Sequence, residues 1–284
     1  MPSPDAPVFL AGLAHSGKTP LRIALGRHPD LALSRKSALW TRFYNRFGDL
    51  SEPSRREACL ATVLADHAVR SLAPDTEEIR RQFAAGPFEY ARLFALIHRQ
   101  HADALGKRRW GDQLGLIEAF AGPIFGHFPE ARIVHMVRDP LERSGDRIRP
   151  RPGAIGWETA KWTYSARLAR DNATRFAGRY LVLHYEQLID QPVGALDSVC
   201  AFIGETATDE MHESIVSVAP KGGGAGLRRG QRRFVHRHAD AYRRALGYDG
   251  GDTCGALSRP VDRAALAAWR LTRQRTFDSR VGVV

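Results

Sequence analysis

At 284 residues, 43% hydrophobic and 26% charged, the chain has the composition of a soluble globular protein, which excludes a disordered, collagenous or fibrous one. Lys and Arg number 42 against 31 Asp and Glu, a formal charge of +11, so a polyanionic partner is expected: nucleic acid, a membrane surface or a phosphorylated small molecule. Three widely spaced cysteines, Cys59, Cys200 and Cys254, make neither a disulfide framework nor a metal knuckle, and a reducing cytoplasm is the default location.

In chain order, Met1–Pro7 carries no basic region, and the apolar run from Val8 to Leu13 is too short for a signal-peptide core or a transmembrane segment. That run, apolar without alternation, reads as a strand covered on both faces of a parallel sheet. It enters the turn Ala14 to Thr19 and then a helix through Leu21 and Leu25, with Pro20 in the first turn where no amide donor is required. From Ala38 to Arg108 the pattern is helical, with Tyr90, Phe94, Ile97 and His101 on one face, and reads as an insertion lying over the sheet. Its aromatic residues, among them Trp40, Phe43, Tyr44, Phe47, Phe83, Phe88, Tyr90 and Phe94, are expected either to wall an acceptor pocket or to form the insertion's own core. A helix with Ile117, Phe120, Ile124 and Phe125 at spacings of three and four precedes a strand at 131–137, and a second strand is expected at Tyr180–His184. Glu118 reads as a first-turn helix acid, and Trp157 and Trp162 as core. Residues 222–226 form a glycine-rich loop, and five arginines from Arg228 to Arg237 form a basic patch. Without a Pro-, Gly- or Ser-rich linker, residues 1–284 read as a single domain: α/β, three-layer, with a mainly parallel central sheet, a phosphate-loop-like strand-loop-helix and a helical insertion at about 38–108.

The strongest local signal is Gly12-Leu13-Ala14-His15-Ser16-Gly17-Lys18-Thr19, which fits the phosphate-loop pattern G-x-x-x-x-G-K-[ST]. Small residues let backbone amides turn onto an anion, the helix start adds positive potential, and the lysine brings a mobile charge. A loop of this kind suits an ATP- or GTP-dependent phosphotransferase, which would hold Mg²⁺ with an acid after a second buried strand. Here the strand ending at Val137 runs instead into Arg138-Asp139-Pro140, which sets a cation first.

At these residues the chain resembles the sulfotransferases that use 3′-phosphoadenosine 5′-phosphosulfate (PAPS). The first signature of that family is matched by the strand from Phe9, the loop His15-Ser16-Gly17-Lys18-Thr19 and the helix closing in His28-Pro29-Asp30. Its second, a strand running into Arg-Asp-Pro, is matched at Ile133 to Pro140. Trp110-Gly111-Asp112 is similar to the family's Trp-Gly-Asp segment, and His184-Tyr185-Glu186-Gln187-Leu188 to its Tyr-Glu-Asp-Leu strand end, with a weaker echo at Arg228-Arg229-Gly230 and Leu246-Gly247-Tyr248.

The resemblance implies that His15, Ser16, Gly17, Lys18, Thr19 and Pro20 hold the 5′ end of PAPS. Arg138 would grip the 3′-phosphate with Ser144 assisting, Tyr185 would lie beside the adenine, and Arg228, Arg229 and Gly230 would close over the 3′ end. Lys18 or His15 would carry the catalytic charge. For the general base the residues themselves offer Asp112, at an expected strand end, with His15 and His101 as alternatives, while Asp112 reads equally as a helix-cap or turn aspartate. No metal is required, and no nucleic acid is expected. The acceptor would be a hydroxyl or amine of a small molecule, glycan or lipid, and a homo-oligomer is compatible with the sequence. The chain departs from the family in having His15 at the usual Lys or Arg position, Asp146 at the usual Ser, Gln113 after Trp-Gly-Asp and no acid in Ser34-Arg35-Lys36. These departures keep a nucleotide-binding protein that has lost catalysis as an alternative beside the phosphotransferase.

Overall fold

The structure, a computed structural model, describes residues 6–35, 37–113, 115–147, 152–218, 226–249 and 259–281, without the side chains of 145–147. Lys36, Cys254, residues 222–225 of the glycine tract and the Asp146 side chain lie outside the described residues.

Strands β1 (Val8–Ala11), β2 (Leu31–Ser34), β3 (Arg109–Gln113), β4 (Arg132–Val137) and β5 (Tyr180–His184) form one sheet in the order β2-β3-β1-β4-β5. Every pairing is parallel; Leu10 is in register with Gln113 on one side and Val134 on the other. Parallel neighbours require crossovers that cover both faces, which is why β1 is apolar at consecutive positions and wholly buried.

Alternate strand residues feed two cores. Val8, Leu10, Leu31, Leu33, Val134 and Met136 pack with Leu21, Leu25, Leu196 and Ile215, from the helices Lys18–Leu25, Pro192–Ile203 and Asp209–Val218. Phe9, Ala11, Trp110 and Ile133 pack on the other side with the insertion, the long helix Ala154–Arg175 and the helices Arg229–Ala245 and Pro260–Trp269. A fully buried side chain of this size contributes about 1.5–3 kcal/mol, so the two layers together fix the sheet and the loop at its edge.

Between β2 and β3 the insertion forms helices Leu39–Phe43, Pro53–Leu64, His67–Arg70, Thr76–Ala84 and Tyr90–Ala104. Their starts follow local rules: Pro53 opens one, and the Asp75 carboxylate accepts from the amides of Glu77 and Glu78 at another. No helix among the described residues is long and apolar enough to cross a membrane. Cys59 and Cys200 are free and buried, and burial pushes each thiol up to about 12.

Candidate active site

The phosphate loop leaves the C-terminal end of β1, the central strand. Gly12, His15 and Gly17 take φ values of 109°, 65° and 90°, and these left-handed turns swing successive peptide groups so that carbonyls and amides separate onto two sides. At Gly12 a Cβ would stand 2.2 Å from the Met136 carbonyl oxygen, so only glycine fits between the adjoining strands. At Gly17 it would stand 2.7 Å from the Tyr185 ring.

Cations from three places take the loop's carbonyls. Lys18 Nζ donates to Gly12 O and, at 3.0 Å, to Leu13 O. Arg143 Nη1 donates to Ala14 O at 3.2 Å, and Arg138 Nη1 to His15 O at 3.1 Å. The Ser16 hydroxyl adds a bond to Leu13 O at 2.7 Å. With its carbonyls held from behind, the loop turns into the helix at Lys18, whose first-turn amides have no intrahelical acceptor and whose N-cap, Gly17, has no side chain to supply one. The chemistry offered is that of an anion cradle. His15 stands exposed at the tip, Thr19 is exposed and Pro20 half-buried, while Ser16 and Lys18 are buried.

Arg138 emerges where β4 ends. It is buried, its guanidinium lies 4.2 Å from the centre of the Tyr185 ring, and its own carbonyl accepts from Trp162 Nε1 at 2.9 Å. Trp162, read as core, is therefore also an anchor of the site. Asp139 turns away from Arg138: its carboxylate accepts from Arg243 Nη2 at 2.9 Å and from the Leu141 amide at 2.8 Å. Glu186 accepts from the Asp139 amide at 3.0 Å and from the Tyr248 hydroxyl at 3.1 Å. Ser144, six residues further on, is fully buried, and its hydroxyl has no hydrogen-bond partner among the described residues.

Asp112 is set differently. It is in register with Phe9 of β1 and fully buried. Its carboxylate accepts from Ser34 Oγ at 2.8 Å, from Ser37 Oγ and from the Ser37 amide, and lies 3.5 Å from His98 Nε2. Burial raises the Asp112 carboxyl to about 7 and lowers His98, stacked on Trp110, to about 3. As folded, the pair closes the turn after β2, and the carboxylate is sealed from the loop's open side.

Thus His15, Ser16, Gly17, Lys18, Arg138 and Tyr185 are brought together, while Asp112 stands apart beneath the sheet edge. Arg228, Arg229 and Gly230 are exposed at the start of the helix Arg229–Ala245. It is the far end of that helix, through Arg243, that reaches the strand-end cluster, and the sequence gives for it only the weak echo at Tyr248. Glu118, read as a helix acid, is buried behind the loop and accepts from the Gly12 amide at 3.2 Å. The insertion covers the face opposite the helix Lys18–Leu25, so its aromatics serve its own packing first: Trp40, Phe43, Phe83, Tyr90 and Phe94 are buried. Some of them line a pocket of about 190 Å³ that includes no residue of the phosphate loop.

The family model described as "Sulfotransferase family" matches residues 7–209, well over half of the chain. Among solved structures, the sulfotransferase domain of the Synechococcus PCC 7002 olefin synthase is 19% identical over 95% of this chain and 96% of that chain, with a TM-score of 0.53. The sulfotransferase from Alicyclobacillus acidocaldarius is 16% identical over 86% and 96%, with a TM-score of 0.48. Sulfotransferase STF1 from Mycobacterium tuberculosis H37Rv is 18% identical over 84% and 77%, with a TM-score of 0.47. The first likeness carries the fold; the other two fall below 0.5. No curated protein sequence matches the chain.

Proposed function

The chain belongs to the sulfotransferase family, and from that premise we propose that it moves a sulfuryl group from PAPS to a hydroxyl or amine of a small-molecule, glycan or lipid acceptor. One arrangement carries the reading: the buried Arg138 beside Tyr185 and Gly17 adds a second cationic point to the anion cradle of the loop. A donor with a 5′-phosphosulfate and a 3′-phosphate needs two such points, and a nucleoside triphosphate needs one continuous cradle.

The residues present fit that group. Gly17, without a side chain, lets the loop pack directly against the Tyr185 ring, and the buried Ser144 hydroxyl, six residues beyond Arg138, has no hydrogen-bond partner among the described residues. Bound PAPS supplies a sulfuryl group on a phosphate leaving group. The amides from Ser16 to Thr19 would hold its 5′ end, and Arg138 with Ser144 its 3′-phosphate. Lys18, now on the carbonyls of Gly12 and Leu13, would exchange those contacts for the leaving oxygen as negative charge develops there. His15, exposed at the tip, is the second cationic candidate. Asp112 in its sealed position holds the turn at Ser37; it would reach an acceptor proton only after that turn opens.

Thermal denaturation with adenosine 3′,5′-bisphosphate, ATP with Mg²⁺ and GTP with Mg²⁺ tests the reading. The bisphosphate is expected to stabilise the protein most; a larger, chelator-sensitive shift with ATP would support the phosphotransferase instead.

A further inference from the structure

Behind the phosphate loop a line of buried hydrogen bonds runs from β5 to Gly12. Tyr180 Oη lies 2.7 Å from His135 Nδ1, and His135 Nε2 lies 3.0 Å from Ser165 Oγ. Ser165 Oγ donates to Glu118 Oε1 at 2.5 Å, and the Gly12 amide donates to Glu118 Oε2 at 3.2 Å. Asn172 Nδ2 donates to Glu118 O at 2.8 Å. The side chains of Glu118 and His135 are both wholly buried.

The hydrogens along this line have one consistent arrangement. A backbone amide and an Asn NH₂ can only donate, and a hydroxyl has one hydrogen to give. Burial lowers His135 from its ordinary value, so the ring is neutral and has a single N–H to place. Since Ser165 gives its proton to Glu118, its oxygen must accept from His135 Nε2–H. Nδ1 then accepts from the Tyr180 hydroxyl. Every hydrogen in the relay runs toward the Glu118 side chain.

We propose that Glu118 is the positioning residue of the phosphate loop: by accepting on both carboxylate oxygens it draws the Gly12 amide inward, fixes the left-handed turn there and imposes the Nε2–H tautomer on His135. It touches no ligand. It acts through Gly12, whose turn sets the aim of the amides that follow, and the nucleotide role of those amides rests on the function proposed above.

Two variants test it in the full chain. Glu118→Gln still accepts from Gly12 through its oxygen but must donate to Ser165 through its nitrogen. Ser165 then donates to His135 Nε2, and the ring moves its proton to Nδ1 to donate to Tyr180. Nitrogen-15 NMR of histidine-labelled protein reads this directly: Nε2–H in the native chain and Nδ1–H in Glu118→Gln. Titration with adenosine 3′,5′-bisphosphate gives the second readout. Glu118→Gln should bind within about threefold of native, while Glu118→Ala, which removes the acceptor from a buried amide, should bind about tenfold more weakly or worse. Native His135 carrying its proton on Nδ1, or a folded Glu118→Ala binding as tightly as native, overturns the proposal. If Glu118→Ala does not fold, the tautomer exchange in Glu118→Gln decides it. If the native chain binds no bisphosphate, the donor assignment fails, and the tautomer measurement still decides the relay.

Discussion

The Arg138 guanidinium lies 4.2 Å from the centre of the Tyr185 ring while donating to the His15 carbonyl at 3.1 Å. One cation therefore spans the phosphate loop and the aromatic wall beside it. The neighbouring Asp139 carboxylate is held by Arg243 at 2.9 Å.

Arg138→Ala should weaken adenosine 3′,5′-bisphosphate far more than adenosine 5′-phosphate. A charge-assisted contact is worth about 1.5–3 kcal/mol, or roughly 10- to 100-fold in Kd. Calorimetric titration of both nucleotides gives the comparison; equal losses would mean that Arg138 serves only to hold the His15 carbonyl.

Gly17→Ala should destabilise the fold by about 1–3 kcal/mol, since the new Cβ would stand 2.7 Å from the Tyr185 ring at a φ of 90°. Adding Tyr185→Ala should recover only part of the loss, because it removes the contact and leaves the backbone strain. Urea denaturation of the single and double variants measures both parts.

Lys18→Ala should lower turnover by about 10² to 10³, the scale of losing one transition-state donor. Its effect on bisphosphate affinity should be smaller. His15→Ala should cost less, as its carbonyl rather than its ring is what Arg138 grips. Steady-state kinetics with paired nucleotide titrations would reverse the assignment if His15→Ala proved the more damaging change.

Stability against pH should show two opposed slopes. Asp112 titrates at about 7 in the fold against an ordinary 3.8, so the folded state keeps a proton that the unfolded chain gives up, and stability falls as pH rises from about 4 to about 7. His98 at about 3 against 6.5 does the reverse, and stability rises as pH climbs from about 3 to about 6.5. In the native protein the two slopes nearly cancel between them. Asp112→Asn should expose the rising slope and His98→Phe the falling one, each approaching 1.4 kcal/mol per pH unit in urea denaturation. A flat profile in both variants would contradict the assignment.

Much of this architecture is legible in the sequence because burial on two faces leaves an unbroken apolar mark. The runs at Val8, Ile133 and Tyr180 are strands β1, β4 and β5, and the glycine spacing after β1 places the loop. β2 leaves no such mark, since Leu31-Ala32-Leu33-Ser34 is only one short segment after His28-Pro29-Asp30. Strand order is not legible either, because pairing joins residues far apart in the chain, as Phe9 joins Asp112. Glu118 reads as a first-turn helix acid because helical spacing cannot show that its carboxylate meets the Gly12 amide, 106 residues away. Arg243 is hidden for a related reason. Among the many arginines of its helix, only the position of Asp139 in space distinguishes the one that is buried.

The long helix Ala154–Arg175 grips the site three times: Trp162 holds the Arg138 carbonyl, Glu158 holds Arg143, and Ser165 holds Glu118. Its outer side is packed in turn by the helices Arg229–Ala245 and Pro260–Trp269. Detaching the loop from these grips would strip partners from buried charged groups, so its opening is joined to that of the layer behind it. In amide-exchange terms, Gly12 then belongs with the slow unit of β1 and β4 rather than with the fast-exchanging surface turns. A ligand taken up by the loop would therefore meet it already ordered, with the ordering entropy met during folding instead of at association.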